Sequence, residues 1–205
     1  MEKEILKTIV LIFFVITSCS KTKMDDVKIT KNTDKGYFSV ENKDDSIFNM
    51  FISRVLKDDF NEPVLYNHKT YKEIYRLSKL STFMYSEVIR VESYKDTAKV
   101  FLKIQNLIDT CYYIPITGFL DLKVKLSDYN FWNMSSNLNE IGFDGSIWII
   151  EGIEKNNYHH IYRWITYNEK DDKQFMSVVE DFEKISIPDD IKMKIENKYK
   201  RKYNK

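Results

Sequence analysis

Few residues in this chain have the type and spacing to do chemistry, and they fall in two places. The first is Ile16-Thr17-Ser18-Cys19, which has the pattern of a bacterial lipobox. Its chemistry is cleavage before the cysteine and attachment of lipid to it. The second is the stretch around Glu151, His159, His160 and Arg163, flanked by Trp148 and Trp164. A carboxylate and an imidazole form a common general acid–base pair, so Glu151 with His159 or His160 is the arrangement from which a hydrolase could be assembled. Neighbouring residues on a strand point to opposite faces, so His159 and His160 do not readily share a metal. No GxSxG, HExxH, CxxC or phosphate-cradling glycine loop occurs. No catalytic residue, metal ligand or cofactor is therefore assigned.

Glu151 stands among Trp148, Ile149, Ile150 and Ile153, and Arg163 between Tyr162 and Trp164. A charge in so apolar a strand is costly alone and much less so when paired. The turn decides whether these two meet, because a one-residue slip moves every side chain to the other face. A three-residue loop Lys155–Asn157 puts Glu151 and Arg163 on one face, whereas a two-residue loop separates them. The expectation is the three-residue loop and a partly buried structural ion pair Glu151–Arg163, covered by Trp148 or Trp164. Trp148, His159, His160 and Trp164 are the candidate surface or site residues.

The N-terminus supplies an address. Lys3 and Lys7 precede the uncharged run Thr8–Ser18, which is too short for the ~20 residues that span a bilayer. A charged start, a short apolar core and a small residue before the cut make a signal peptide. The reading is a signal peptide over 1–18, a lipidated Cys19 with a flexible tether over 19–45, and a single α+β domain with a basic C-terminal tail over 46–205. The expected location is the bacterial cell envelope, with the protein held on a membrane by its lipid, palmitate or a similar acyl chain. The outer membrane is preferred because Ser20 is not acidic. With Cys19 lipidated, Cys111 lacks a second cysteine and is expected as a small packed side chain.

The chain of 205 residues carries 32 Lys and Arg against 31 Asp and Glu, a formal charge of +1. That balance, with export, argues against nucleic acid as a partner. A hydrophobic share of 43% with 5 Gly and 3 Pro fits a packed fold. Apolar residues at helical spacing predict a helix over 46–59, and others over 175–185 and beyond Pro188. Strands are expected at 73–81, 84–94, 97–105, 120–126, 146–154 and 158–167. Val100, Leu102, Ile104, Leu120, Leu122 and Val124 should face the core, with Lys99, Lys103, Lys123 and Lys125 in solvent. The predicted fold is α+β: an antiparallel sheet of about six strands, in hairpins or a meander, covered by two to four helices.

The segments FWNM (Phe131–Met134), GFDGSIWIIEG (Gly142–Gly152) and YHHIYRW (Tyr158–Trp164) resemble the signature of a family of exported bacterial proteins. That signature reads approximately fWnmp, GlDGaxWilEG and YHvvdRWsP. Upstream, YRLSKLSTFMYSEVIRVE (Tyr75–Glu92) is similar to the family's yRftwlrsFhxpixirve. The chain departs at Tyr162, where the family has Asp, and at Ile165-Thr166, where it has Ser-Pro. The resemblance implies a fold and an exported location but no activity. Two function classes follow. One is a lipid-anchored, non-catalytic binding module with an envelope protein partner: an inhibitor, an immunity factor or an accessory subunit. The other is an envelope hydrolase using Glu151 with His159 or His160. The 14 tyrosines favour the binder, since Tyr is enriched at interfaces. An enzyme needs these side chains to converge in a pocket, and a binder needs an exposed aromatic patch.

Overall fold

The computed structural model describes residues 45–66, 70–81, 85–136, 145–165 and 172–203. The expected signal peptide over 1–18, Cys19, the expected tether as far as residue 44, and His68 lie outside them. Strands β1 (Ile74–Ser81), β2 (Glu87–Ser93), β3 (Thr97–Ile104) and β4 (Ile108–Pro115) follow one another as an antiparallel meander. The chain then leaves the sheet through helix α2 (Ile116–Asp128) and a 3-10 turn at Phe131–Asn133. It returns beside β1 as β5 (Ser146–Glu154), which hairpins into β6 (Asn157–Ile165). The strand order is β4-β3-β2-β1-β5-β6, antiparallel throughout. Before the sheet, helix α1 (Asp45–Arg54) runs on into a π-helical turn at Val55–Asp59. After it come α3 (Lys173–Ser186) and α4 (Asp189–Tyr203).

Both faces of the central strands are covered. On one face Tyr75, Leu77, Ile89, Val91, Val100, Leu102, Ile150 and Ile161 pack under Phe119, Leu122 and Leu126 of α2 and Phe175, Val178 and Phe182 of α3. On the other, Leu80, Val88, Ile147, Ile149, Tyr162 and Trp164 pack under Ile52 and Leu56 of α1 and its turn, and under Phe60. Two-sided cover explains why β5 reads as a nearly unbroken apolar run. Over β3 and β4 no helix among the described residues covers the α1 face, where Phe101 is half-buried and Tyr113 60% exposed.

Several expectations are corrected. Residues 120–126 are not a strand but the body of α2. Phe119, Leu122 and Leu126 are buried at i, i+3 and i+7, while Leu120 and Val124 are 50% and 57% exposed. Every-second-residue alternation over so short a run also fits one helical stripe, and length alone does not separate the two. The sixth strand is β4 instead, whose sequence IDTCYYIP shows no clean alternation. Lys99 and Lys103 are not on a wet face: both are half-buried on the α1 face. Cys111 is half-buried, opposite Phe101 on β3. The basic C-terminus continues as helix through Tyr203.

The β5–β6 register differs by one residue from expectation. Glu154 pairs with Asn157 across a two-residue turn, Lys155-Asn156, with φ of 48° and 67°. Two successive positive φ values are the type I′ geometry that matches strand twist. Glu151 therefore lies opposite His160, and Arg163 opposite Trp148. The expected Glu151–Arg163 ion pair does not form, because the two point to opposite faces.

The helical assignment of α2 separates Leu122 from Val124, which a strand would place side by side on the core. Leu122→Ala should cost about 2–5 kcal/mol in denaturant unfolding. Val124→Ala should cost less than about 0.5 kcal/mol. Equal losses at both sites would contradict the helix.

Candidate functional site

The densest chemistry sits on the α1 face, in residues that motif reasoning passes over. Arg76 and Arg90 each interrupt an apolar strand, in YRL and IRV, and the register sets them directly opposite one another. Like charges in cross-strand contact are destabilising, so the pair requires a carboxylate between them. Glu62 supplies it. Its Oε2 accepts from Arg90 Nε at 2.8 Å and lies 3.5 Å from Arg76 Nη1, while its Oε1 is 2.8 Å from Lys103 Nζ. Arg76 Nε donates to Glu151 Oε2 at 2.6 Å, and Tyr158 Oη donates to Glu151 Oε1 at 3.0 Å. Arg90 also pairs with Glu92, which Lys72 approaches at 3.7 Å. Arg76 and Glu151 are wholly buried.

Glu62 arrives on a strap, Phe60–Leu65, whose path is set by local geometry. Phe60, Asn61 and Glu62 donate their backbone N–H groups back to Val55, Lys57 and Leu56 carbonyls. Asn61 takes a positive φ of 48°, the left-handed turn that ends helices. The cations then hold the strap's backbone as well: Arg76 Nη1 donates to Pro63 O at 2.7 Å and Lys103 Nζ to Phe60 O at 2.5 Å.

The two central carboxyls divide the cations unevenly. Burial acts to raise Glu62, but Arg90, Lys103 and Arg76 together hold it below the ordinary carboxylate range. Burial pushes Glu151 up, and Arg76 together with the Tyr158 hydroxyl does not reverse that. His160, opposite Glu151, lies between Tyr158 and Tyr162 with ring centroids 5.7 and 6.3 Å away. Burial, with His159 adding to it, lowers His160 to about 4, so it is neutral at pH 7. Trp164 is buried in the α1-face core and is not a surface residue.

The remaining residues singled out in the sequence lie on the α2–α3 face, away from Glu151. Phe131 rests over Gly152, where a Cβ would come within 2.9 Å of its ring. His159 packs edge-on to Phe131 at 5.1 Å and beside Trp132, and burial lowers its pKa. Arg163 Nε donates to Asp172 at 2.7 Å, and its Nη1 donates to the carbonyls of Ser135 and Tyr162 at 3.1 and 2.7 Å. The segments around Phe131, Gly152 and Arg163 thus meet in space and hold the 3-10 turn and the start of α3 against the hairpin. Trp148 is half-buried with Lys79 Nζ 4.5 Å from its ring. Lys79 also pairs with Glu183 of α3 and lies opposite Glu87 of β2. Burial raises Glu87 to about 7, with Lys79 opposing and Glu183 assisting.

As chemistry, the α1-face cluster is a closed set of mutual neutralisations. Glu151 has one oxygen on Arg76 and the other on Tyr158, so it is not presented to a substrate. Glu62, Arg76, Arg90 and Lys103 escaped the sequence reading because their partners lie far apart in the chain. The available signal was an arginine inside each of two apolar strands. No protein-family model matches the chain, and no curated protein matches it.

Two outcomes follow. Removing one partner of a buried pair should cost about 3–5 kcal/mol, so Glu151→Ala and Arg76→Ala should each be that destabilising. Their double mutant should lose clearly less than the sum, whereas Glu151→Ala and Arg163→Ala should add within about 0.5 kcal/mol. The second outcome concerns Glu87. The folded protein holds this proton more tightly than the unfolded chain, so Glu87 contributes stability that is lost as pH rises from about 4.5 to about 7. His160 acts in the opposite sense. Comparing melting temperatures of the parent and Glu87→Gln from pH 4 to 8 isolates the effect: the variant should gain on the parent as pH rises.

Proposed function

We propose that this protein is a lipid-anchored, non-catalytic binding module of the bacterial cell envelope, acting as an inhibitor, immunity factor or accessory subunit for an envelope protein. The observation that carries the non-catalytic reading is the fate of the candidate acid–base groups. Glu151 is fully buried and tied to Arg76, and His160 is sandwiched and neutral. His159 sits against Phe131 and Trp132 on the opposite face. Exposed aromatics suit a binder: Tyr94 and Tyr113 are 37% and 60% exposed, with Lys72 and Lys99 lying 4.3 and 5.7 Å from their rings.

The anchor rests on the lipobox at Ile16–Cys19. Ser20 in place of an acidic residue favours the outer membrane. Among the described residues no helix is long and apolar enough to cross a bilayer.

Labelling cells with a palmitate analogue should mark the protein, and Cys19→Ser should abolish both label and normal processing. A mature chain whose Cys19 is unmodified or disulfide-linked would overturn the anchor. Purification of the lipidated protein from envelope fractions should retain an envelope protein in stoichiometric amount. A turnover of envelope substrates that Glu151→Gln removes without unfolding the protein would replace the binder with the hydrolase.

A further inference from the structure

We infer that the outer edge of β4 is a self-association surface, on which a second copy of this chain pairs its own β4 antiparallel and makes one sheet of two. The sheet ends in β4 on one side and β6 on the other, and the two edges are finished differently. On β6, Tyr162 N–H donates to the Ser136 carbonyl at 2.8 Å, and Arg163 holds the Ser135 and Ser136 carbonyls, so the chain itself lies along that edge. On β4 the ladder determines which peptide groups point outward. Gln105 N–H donates to Ser86 O and Tyr94 N–H to Thr97 O, and bonded pairs recur at every second residue of an antiparallel ladder. Positions 97, 99, 101 and 103 of β3 therefore turn their peptide groups toward β2, and 98, 100, 102 and 104 turn theirs toward β4. Their partners on β4 are Ile114, Tyr112, Thr110 and Ile108. Asp109 and Tyr113 are left with N–H and C=O directed away from the sheet, and both residues are exposed. Such a row of groups is a template for another strand.

The sequence of β4 selects a second copy as the occupant. About a two-fold axis at Cys111, the run Ile108–Ile114 is close to self-complementary. One copy's Ile108 meets the other's Ile114, Thr110 meets Tyr112, and Asp109 meets Tyr113, each pair occurring on both sides of the axis. The Asp109–Tyr113 pairs exchange both of their N–H···O bonds in this register. Moving the axis toward Tyr113 draws in Pro115, which has no N–H. Moving it toward Asp109 shortens the overlap and finally opposes two carboxylates, which is unfavourable. Charge fits the same register. Asp109 stands opposite Lys103, but Lys103 is occupied by Glu62 and Phe60 O. Lys99 stands opposite Tyr113 with Nζ 5.7 Å from its ring, and its other cross-strand neighbour, Glu92, pairs with Arg90 and Lys72. Across the axis, Asp109 of one copy comes beside Tyr113 and Lys99 of the other on the α1 face. Neither a lipid anchor nor an envelope partner enters into this pairing.

The test reads the mass of the full chain, as isolated, by sedimentation over a dilution series, with circular dichroism as the check on folding. The parent should sediment as a dimer that dissociates on dilution. Tyr113→Pro removes an outward N–H, a change that edge strands tolerate, and should give a folded monomer. Tyr113→Asp sets like charges opposite one another across the axis and should weaken the dimer about tenfold. Adding Asp109→Lys to that variant should restore it. Where Tyr113→Pro unfolds the chain, the two charge variants decide. A parent that is monomeric throughout overturns the pairing. So does a dimer that Tyr113→Asp leaves unchanged, or a loss that Asp109→Lys does not recover.

Discussion

Two arginines placed side by side in the middle of a sheet govern much of this structure. Their strand neighbours offer each a carboxylate but place none between them, since β1 and β2 present Arg76 and Arg90 to each other. Glu151 on β5 answers one of them, and Glu92 the other. Glu62 must come from outside the sheet to sit between both. That requirement draws the strap across the sheet, and the strap in turn fixes where the π-helical turn and α1 lie. Breaking such a cluster at one point is far more costly than never having built it, so its members act as a unit.

The sequence made the layers visible but not the pairings. The α1 and α3 stripes stand out by helical spacing, β3 by clean alternation, and β1, β2 and the β5–β6 hairpin by β-rich runs bounded by turn residues. Residues 120–126 mislead because Leu122 and Leu126 satisfy both periods, and only the neighbouring Phe119 completes the helical one. At the hairpin, two asparagines suggested a longer loop, yet the turn begins at Lys155, an unusual residue for positive φ. One residue of error there moved Arg163 to the opposite face from Glu151. The charged cluster showed only as an arginine inside each of two apolar strands, because charge complementarity between residues far apart in sequence leaves no local pattern of its own.

The segments around Phe131, Gly152 and Arg163 acquire a physical meaning once they are seen together. Phe131 fills the space left by the missing side chain at Gly152, beside Tyr75 and His159. Arg163 gathers the carbonyls that follow the 3-10 turn and the acid that caps α3. These residues describe a joint between the crossover and the hairpin. A motif of this kind marks how the chain is fastened, and activity must be sought on the surfaces it leaves free.

The strand order also bears on how the chain comes to fold. The meander β1–β4 pairs only neighbours in sequence, so it closes early with small loop-closure cost. Until α2 has been laid down and β5 has emerged, β1 remains an unpaired edge bearing a buried-type arginine and a row of apolar side chains. A chain delivered N-terminus first would pass through that state during every synthesis. Bare edges of this sort recruit other strands, so β1 is the edge most open to mispairing until β5 arrives. Variants that slow the arrival of β5 would accumulate as aggregates while leaving the finished molecule as stable as before.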